Sequence, residues 1–121
     1  MPVKARPRIT EDLLILEQEG ELVARLGDKV YNLVGTMSLS GGVGMCRFCL
    51  TKEEWTGTGI DCIDFYYKHG QYAVFASTGL MPGQEGIPKG TQQLGRWHSD
   101  NVSIDNQVFE ELRVQCGYNR E

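Results

Sequence analysis

The stretch IDCIDFYYKHGQYAVFAST, from Ile60 to Thr78, decides the fold. It holds two runs rich in β-branched and aromatic residues around Lys68-His69-Gly70-Gln71, the pattern of a hairpin with a tight turn. With His69-Gly70 as a two-residue loop, Tyr67 faces Tyr72, Phe65 faces Val74 and Ile63 faces Ala76. These side chains share one apolar face. Cys62, Asp64, Tyr66, Ala73, Phe75 and Ser77 share a second, mixed face. A slip of one residue would scramble the sorting, which favours this register.

The same signals recur toward the N-terminus. Ser40-Gly41-Gly42-Val43 reads as a second tight turn. It predicts Met37 opposite Cys46 and Gly35 opposite Phe48, with Leu33, Met37, Leu39, Cys46, Phe48 and Leu50 on one face. A third turn at Gly27-Asp28 pairs Leu22 with Leu33 and Ala24 with Tyr31. A fourth at Glu19-Gly20 joins Leu13–Gln18 to Glu21–Leu26. There a helix from Thr10 competes, with Thr10 as its N-cap and Asp12 in its first turn. Gly20 and Gly27 oppose a helix running to Leu26, but 10–18 stays open between helix and strand.

Pairing of Val43–Thr51 with Ile60–Lys68 follows from the apolar faces. Placing Phe48 opposite Ile63 keeps those faces together. It also sets Cys46 by Phe65, Arg47 by Asp64, Met45 by Tyr66 and Cys49 by Cys62. The register follows from the apolar faces alone, so the opposite-charge pair supports it independently.

Past Thr78 the alternation stops. Gly79–Gly95 is a long Gly- and Pro-containing loop, and Asn101–Ile104 a short strand. Asp105 is placed to cap a helix over Asn106–Gln115, with Val108, Leu112 and Cys116 on one stripe. The mixed sheet face with Val34, Met45, Tyr66 and Phe75 is the expected dock for that helix. The expected fold is mainly β (α+β). It is an antiparallel meander of five to six strands, curled or barrel-like, with a C-terminal helix packed on it. It forms a single domain over 1–121, with 1–9 as a flexible basic arm and 79–95 as the long loop.

Composition narrows the function classes. The 121 residues are 40% hydrophobic and 23% charged, which excludes a wholly disordered or fibrous chain. The net charge of -4 carries no basic stripe, so nucleic acid is not an expected partner. No run approaches the ~18 apolar residues of a membrane span, and Leu13-Leu14-Ile15-Leu16 runs straight into Glu17. The expected location is cytoplasmic. Its four cysteines are accordingly expected as free thiols.

Cys46, Cys49, Cys62 and His69 read linearly as C-x2-C-x12-C-x6-H, a zinc-like spacing. On a strand, however, residues three apart point to opposite faces. The seven residues from Cys62 to His69 span ~23 Å when extended. No metal and no cofactor are therefore expected. A cysteine nucleophile, Cys49 or Cys62 with His98, Asp100 and Asn101, needs a base within hydrogen-bond reach of the thiol. The sequence does not supply that contact. Gly35–Gly44 lacks a P-loop lysine and a helix start.

The expected function is a non-catalytic, soluble interaction protein of the inhibitor, immunity or phage-type accessory kind, with a protein as partner. Arg96, Trp97, His98, Trp55 and Met81 are the candidate binding residues, because aromatic and Arg side chains anchor interfaces. A homodimer through a sheet edge is a related option. The alternative is a small-ligand carrier whose pocket is lined by Tyr31, Phe48, Phe65, Tyr67 and Tyr72. A Cys/His hydrolase ranks third.

Overall fold

The structure is a computed structural model and describes residues 9–56, 59–68, 71–77 and 102–115. Among these residues, seven strands form one sheet: β1 (Leu13–Gln18), β2 (Glu21–Leu26), β3 (Lys29–Leu39), β4 (Val43–Cys49), β5 (Cys62–Lys68), β6 (Gln71–Ser77) and β7 (Val102–Ile104). A 3-10 turn covers Lys52–Glu54, and the helix α1 covers Asn106–Gln115. The strand order is β6-β5-β4-β3-β2-β1-β7, curled into a half-barrel. Neighbours are antiparallel except β7, which lies parallel to β1. The expected basic arm (except Ile9) and the loop 79–95 lie outside the described residues.

Segment 13–18 is a strand, not a helix. Glu19 and Gly20 both take positive φ, 53° and 83°. That turn matches the right-handed twist of a hairpin, and it sets Gln18 against Glu21. The pairing of β2 with β3 puts Ala24 opposite Tyr31. Both pairs agree with the sequence reading, as do those of β4 with β5 and β5 with β6. Phe48 meets Ile63, Arg47 meets Asp64, and Phe65 meets Val74.

The β3–β4 register corrects the expected one. Leu39 pairs with Val43, so Ser40, Gly41 and Gly42 form a three-residue loop in place of a two-residue one. Gly41 and Gly42 carry φ of 80° and 79°, a conformation that costs glycine little. The one-residue slip sets Met37 opposite Met45 and Thr36 opposite Cys46. A bulge between Leu33 and Gly35 then brings Leu33 opposite Phe48. Leu33 thus keeps its expected face, while Met37 and Leu39 move to the other one. A bulge bends its strand and strengthens the local twist, which suits a sheet that curls.

The main core lies on the concave face. It joins Leu13, Ile15, Leu22, Ala24, Tyr31, Cys46, Phe48, Ile63, Phe65 and Val74 to Val108 and Leu112 of α1. The helix therefore docks on the apolar face, not on the mixed face expected for it. The apolar face offers larger hydrophobic surface to its stripe, and burial follows apolar area. Phe109 closes the contact, with its ring 5.4 Å from Tyr67 and 5.7 Å from Tyr72. The Cys46 thiol points at the Leu112 carbonyl at 3.9 Å. At the start of α1, the Asp105 carboxylate accepts from the Gln107 amide at 2.7 Å, the expected cap.

A second, smaller cluster occupies the convex face, where Val43, Met45, Tyr66 and Ala73 pack with Leu39 and Phe75. The strands β4 and β5 are consequently buried on both sides.

Candidate functional site

The chemistry-bearing residues of β4 and β5 gather on the convex face. Arg47 Nε donates to one Asp64 carboxylate oxygen at 2.6 Å, and Nη2 donates to the other at 2.8 Å. Both residues are almost wholly buried. The hydrogen bonds to Asp64 push the guanidinium pKa above its ordinary value, against the opposing pull of burial. A two-pronged pair of this kind holds its partners in a fixed geometry.

One step further along the same face, Cys49 and Cys62 form a disulfide. This corrects the expectation of free thiols. The two residues are directly opposed, with Cα atoms 4.2 Å apart, so the β4–β5 register itself delivers one thiol to the other. The C-terminal helix packs on the other side of the sheet and does not cover them. Cys46 is a free, buried thiol on the concave face. Cys116 lies outside the described residues. Cys46 and Cys49 thus point to opposite faces, and the C-x2-C spacing does not converge on a metal. While crosslinked, neither Cys49 nor Cys62 is a nucleophile. His98, Asp100 and Asn101 lie outside the described residues, and so do Met81, Arg96 and Trp97.

Trp55 is the one candidate binding residue within the described part. It follows the 3-10 turn, half-buried against the main core, and its indole N–H donates to the Leu50 carbonyl at 3.0 Å. Glu54 Oε1 accepts from the Thr51 amide at 3.1 Å and the Thr51 hydroxyl at 2.9 Å, which closes the turn. Asp61, fully buried, accepts from the Thr56 amide at 3.1 Å. The backbone of Asp61 bonds to Leu50 on one side and Ser77 on the other.

Beside this turn lies a cleft of about 190 Å³ lined by Thr10, Glu11, Leu26, Asp28, Lys29, Tyr31 and Ile60. The Tyr31 hydroxyl donates to the Ile60 carbonyl at 2.8 Å. Burial, with Asp61, Glu11 and Glu54 nearby, pushes its pKa up to about 12. The carrier residues Tyr31, Phe48, Phe65 and Tyr67 do sit together, but as packed core with Val108, Phe109 and Leu112 against them.

Apolar exposure appears elsewhere. Leu14 on β1 and Val34 and Met37 on β3 are 41%, 47% and 38% exposed. The alternation of β1 already pointed Leu14 away from Leu13 and Ile15. The outward turn of Met37 depends on the slipped register, and no residue in the sequence marks it. Among the described residues, no helix is long and apolar enough to cross a membrane. No protein-family model matches the chain, and no curated protein or solved structure matches it either.

Proposed function

We propose that the chain is a non-catalytic binding protein whose partner is another protein. The observation that carries this reading is the division of labour between the two faces of the sheet. The concave face is filled by α1, whose Val108, Phe109 and Leu112 stand where an enclosed ligand would sit. Away from that core, Leu14, Val34 and Met37 are more than a third exposed. Exposed apolar side chains are candidate points of association; Val34 and Met37 lie three residues apart on β3, whereas Leu14 stands two strands away, level with Val30. The net charge of -4 supports a protein partner over nucleic acid. Trp55, Met81, Arg96, Trp97 and His98 remain the proposed contributors from the loops.

The test is a paired capture followed by a purified binary measurement. The wild-type chain and a Val34→Asp/Met37→Asp variant of equal thermal stability are used as baits in the native host extract. A protein retained by the first and lost by the second is then titrated against both by calorimetry. Supporting behaviour is saturable binding weakened by about 10-fold or more, or ~1.4 kcal/mol. Equal affinity for both baits would move the surface away from β3. Saturable uptake of a fluorescent fatty acid by the wild-type chain would favour the carrier instead.

A further inference from the structure

We propose that the Cys49–Cys62 crosslink is a redox switch controlling the order of the 3-10 turn and Trp55. The proposal is independent of the partner's identity. Three observations carry it. First, the spacing of the pair is set by the sheet. Opposed residues in an antiparallel ladder hold Cα atoms at ~4.5–5.5 Å, within the ~4.4–6.8 Å that disulfides usually span. Here the separation is 4.2 Å. The ladder therefore brings the two sulfurs together whether or not they are bonded, so the crosslink can open and re-form without moving the strands.

Second, Cys49 is the last residue of β4 and Cys62 the first of β5. Strand ends open locally at far lower cost than strand centres. Such opening admits a reductant to sulfurs that are buried in the closed state. Third, the crosslink stands at the base of a compact set of contacts. Leu50 N–H to Asp61 carbonyl, Trp55 indole to Leu50 carbonyl, and Thr56 N–H to Asp61 carboxylate all lie between the two cysteines in sequence. On the other side, the Arg47–Asp64 pair clamps the same two strands. Opening that starts at the cysteines therefore runs into the turn and stops at the ion pair.

The chemistry is dithiol–disulfide exchange. A thiolate of a dithiol reductant attacks one cysteine sulfur, and the Cys49–Cys62 bond breaks. The other cysteine leaves as a thiolate, and the attacked one is held in a mixed disulfide, from which the second thiol of the reductant displaces it as it closes the reductant's own disulfide. Cys49 and Cys62 end as two protonated thiols, and two electrons have passed from reductant to protein.

The test is amide hydrogen exchange on the full chain, oxidised and after treatment with dithiothreitol under native conditions, with alkylation and mass analysis to count free thiols. Cys49→Ser/Cys62→Ser serves as a permanently uncrosslinked form. The expected result is reduction without global unfolding. The amides of Leu50, Thr56 and Asp61 should then exchange about tenfold faster or more, while those of β1 and β2 stay unchanged. Reoxidation should restore slow exchange. A crosslink that resists dithiothreitol in the folded protein would overturn the proposal. So would unchanged exchange at Leu50, Thr56 and Asp61 after reduction. Loosening of the whole sheet would also reject the switch, because the bond would then be a general staple. If the double variant fails to fold, the reduced wild-type chain still decides between these outcomes.

Discussion

Arg47 and Asp64 face each other across β4 and β5 and are joined at two points, 2.6 and 2.8 Å, with almost no exposure to water. A buried pair like this is costly to break from one side, since the survivor keeps its charge in a poorly solvated place. Asp64→Ala is expected to lose ~3–5 kcal/mol of stability. Arg47→Met/Asp64→Leu, which removes both charges, is expected to lose much less. Urea unfolding of the three chains separates the cases. Equal losses in the single and double variants would show that the pair's charge is not what the sheet depends on.

Phe65 provides the matching apolar test. It is fully buried, stacks on Tyr72 at 5.4 Å and meets Phe109 edge-on at 6.2 Å. Phe65→Ala is expected to cost ~3–5 kcal/mol, the range for truncating a buried aromatic. A domain of this size holds only ~5–15 kcal/mol, so the variant should unfold at markedly lower urea. A loss under ~0.5 kcal/mol would be that of a surface residue and would contradict the core assignment.

Most of the sheet was legible because alternation and turn residues agree. Tyr67 opposite Tyr72 and Phe48 opposite Ile63 both follow from keeping one face apolar, and both are found. The same logic failed around Gly41-Gly42. Two glycines admit several turns, and the bulge between Leu33 and Gly35 restores the face of Leu33 after the slip. An apolar count therefore could not fix which way Met37 points. The helix was legible from Asp105 and its stripe, but its docking face was not, because both faces of β4 and β5 carry apolar residues. The pairing of Cys49 with Cys62 is legible as a proximity, but a bonded pair and two facing thiols share the same register. Register brings the two sulfurs together, while their oxidation state depends on the redox environment, which no residue pattern here encodes.

Tyr31 links stability to alkaline pH. Its hydroxyl donates to the Ile60 carbonyl at 2.8 Å, and its pKa is pushed from 10.0 up to about 12, first by burial and then by Asp61, Glu11 and Glu54. The folded chain therefore holds this proton more tightly than the unfolded chain. The stabilisation is complete below pH 10.0 and is lost as pH rises toward about 12. Tyr31→Phe should cost ~0.5–1.5 kcal/mol at neutral pH through the lost hydrogen bond. Its stability should also fall less steeply than wild type over that alkaline window. Parallel urea midpoints for the two chains across the window would show that Tyr31 does not titrate as described.

The seat of α1 is tested by two residues on its opposite sides. Leu112 is fully buried in the main core, whereas Val114 is 47% exposed. Both belong to the last turns of one helix, so loss of helix propensity affects them similarly, and alanine is if anything favoured in each place. What differs is packing. Leu112 lies over Cys46, whose thiol points at its carbonyl at 3.9 Å, and it shares a cluster with Leu13, Phe48 and Phe65. Leu112→Ala should therefore cost ~2–5 kcal/mol, through lost burial and the cavity left behind. Val114→Ala should stay within ~0.5 kcal/mol. Thermal or urea unfolding of the two variants reads the difference directly. Had the helix docked on the convex face by Met45 and Tyr66, the side chains facing the sheet would change, and Leu112 would lose its advantage. Comparable losses at Leu112 and Val114 would therefore reject the concave seat, and with it the argument that α1 fills the space a ligand would need.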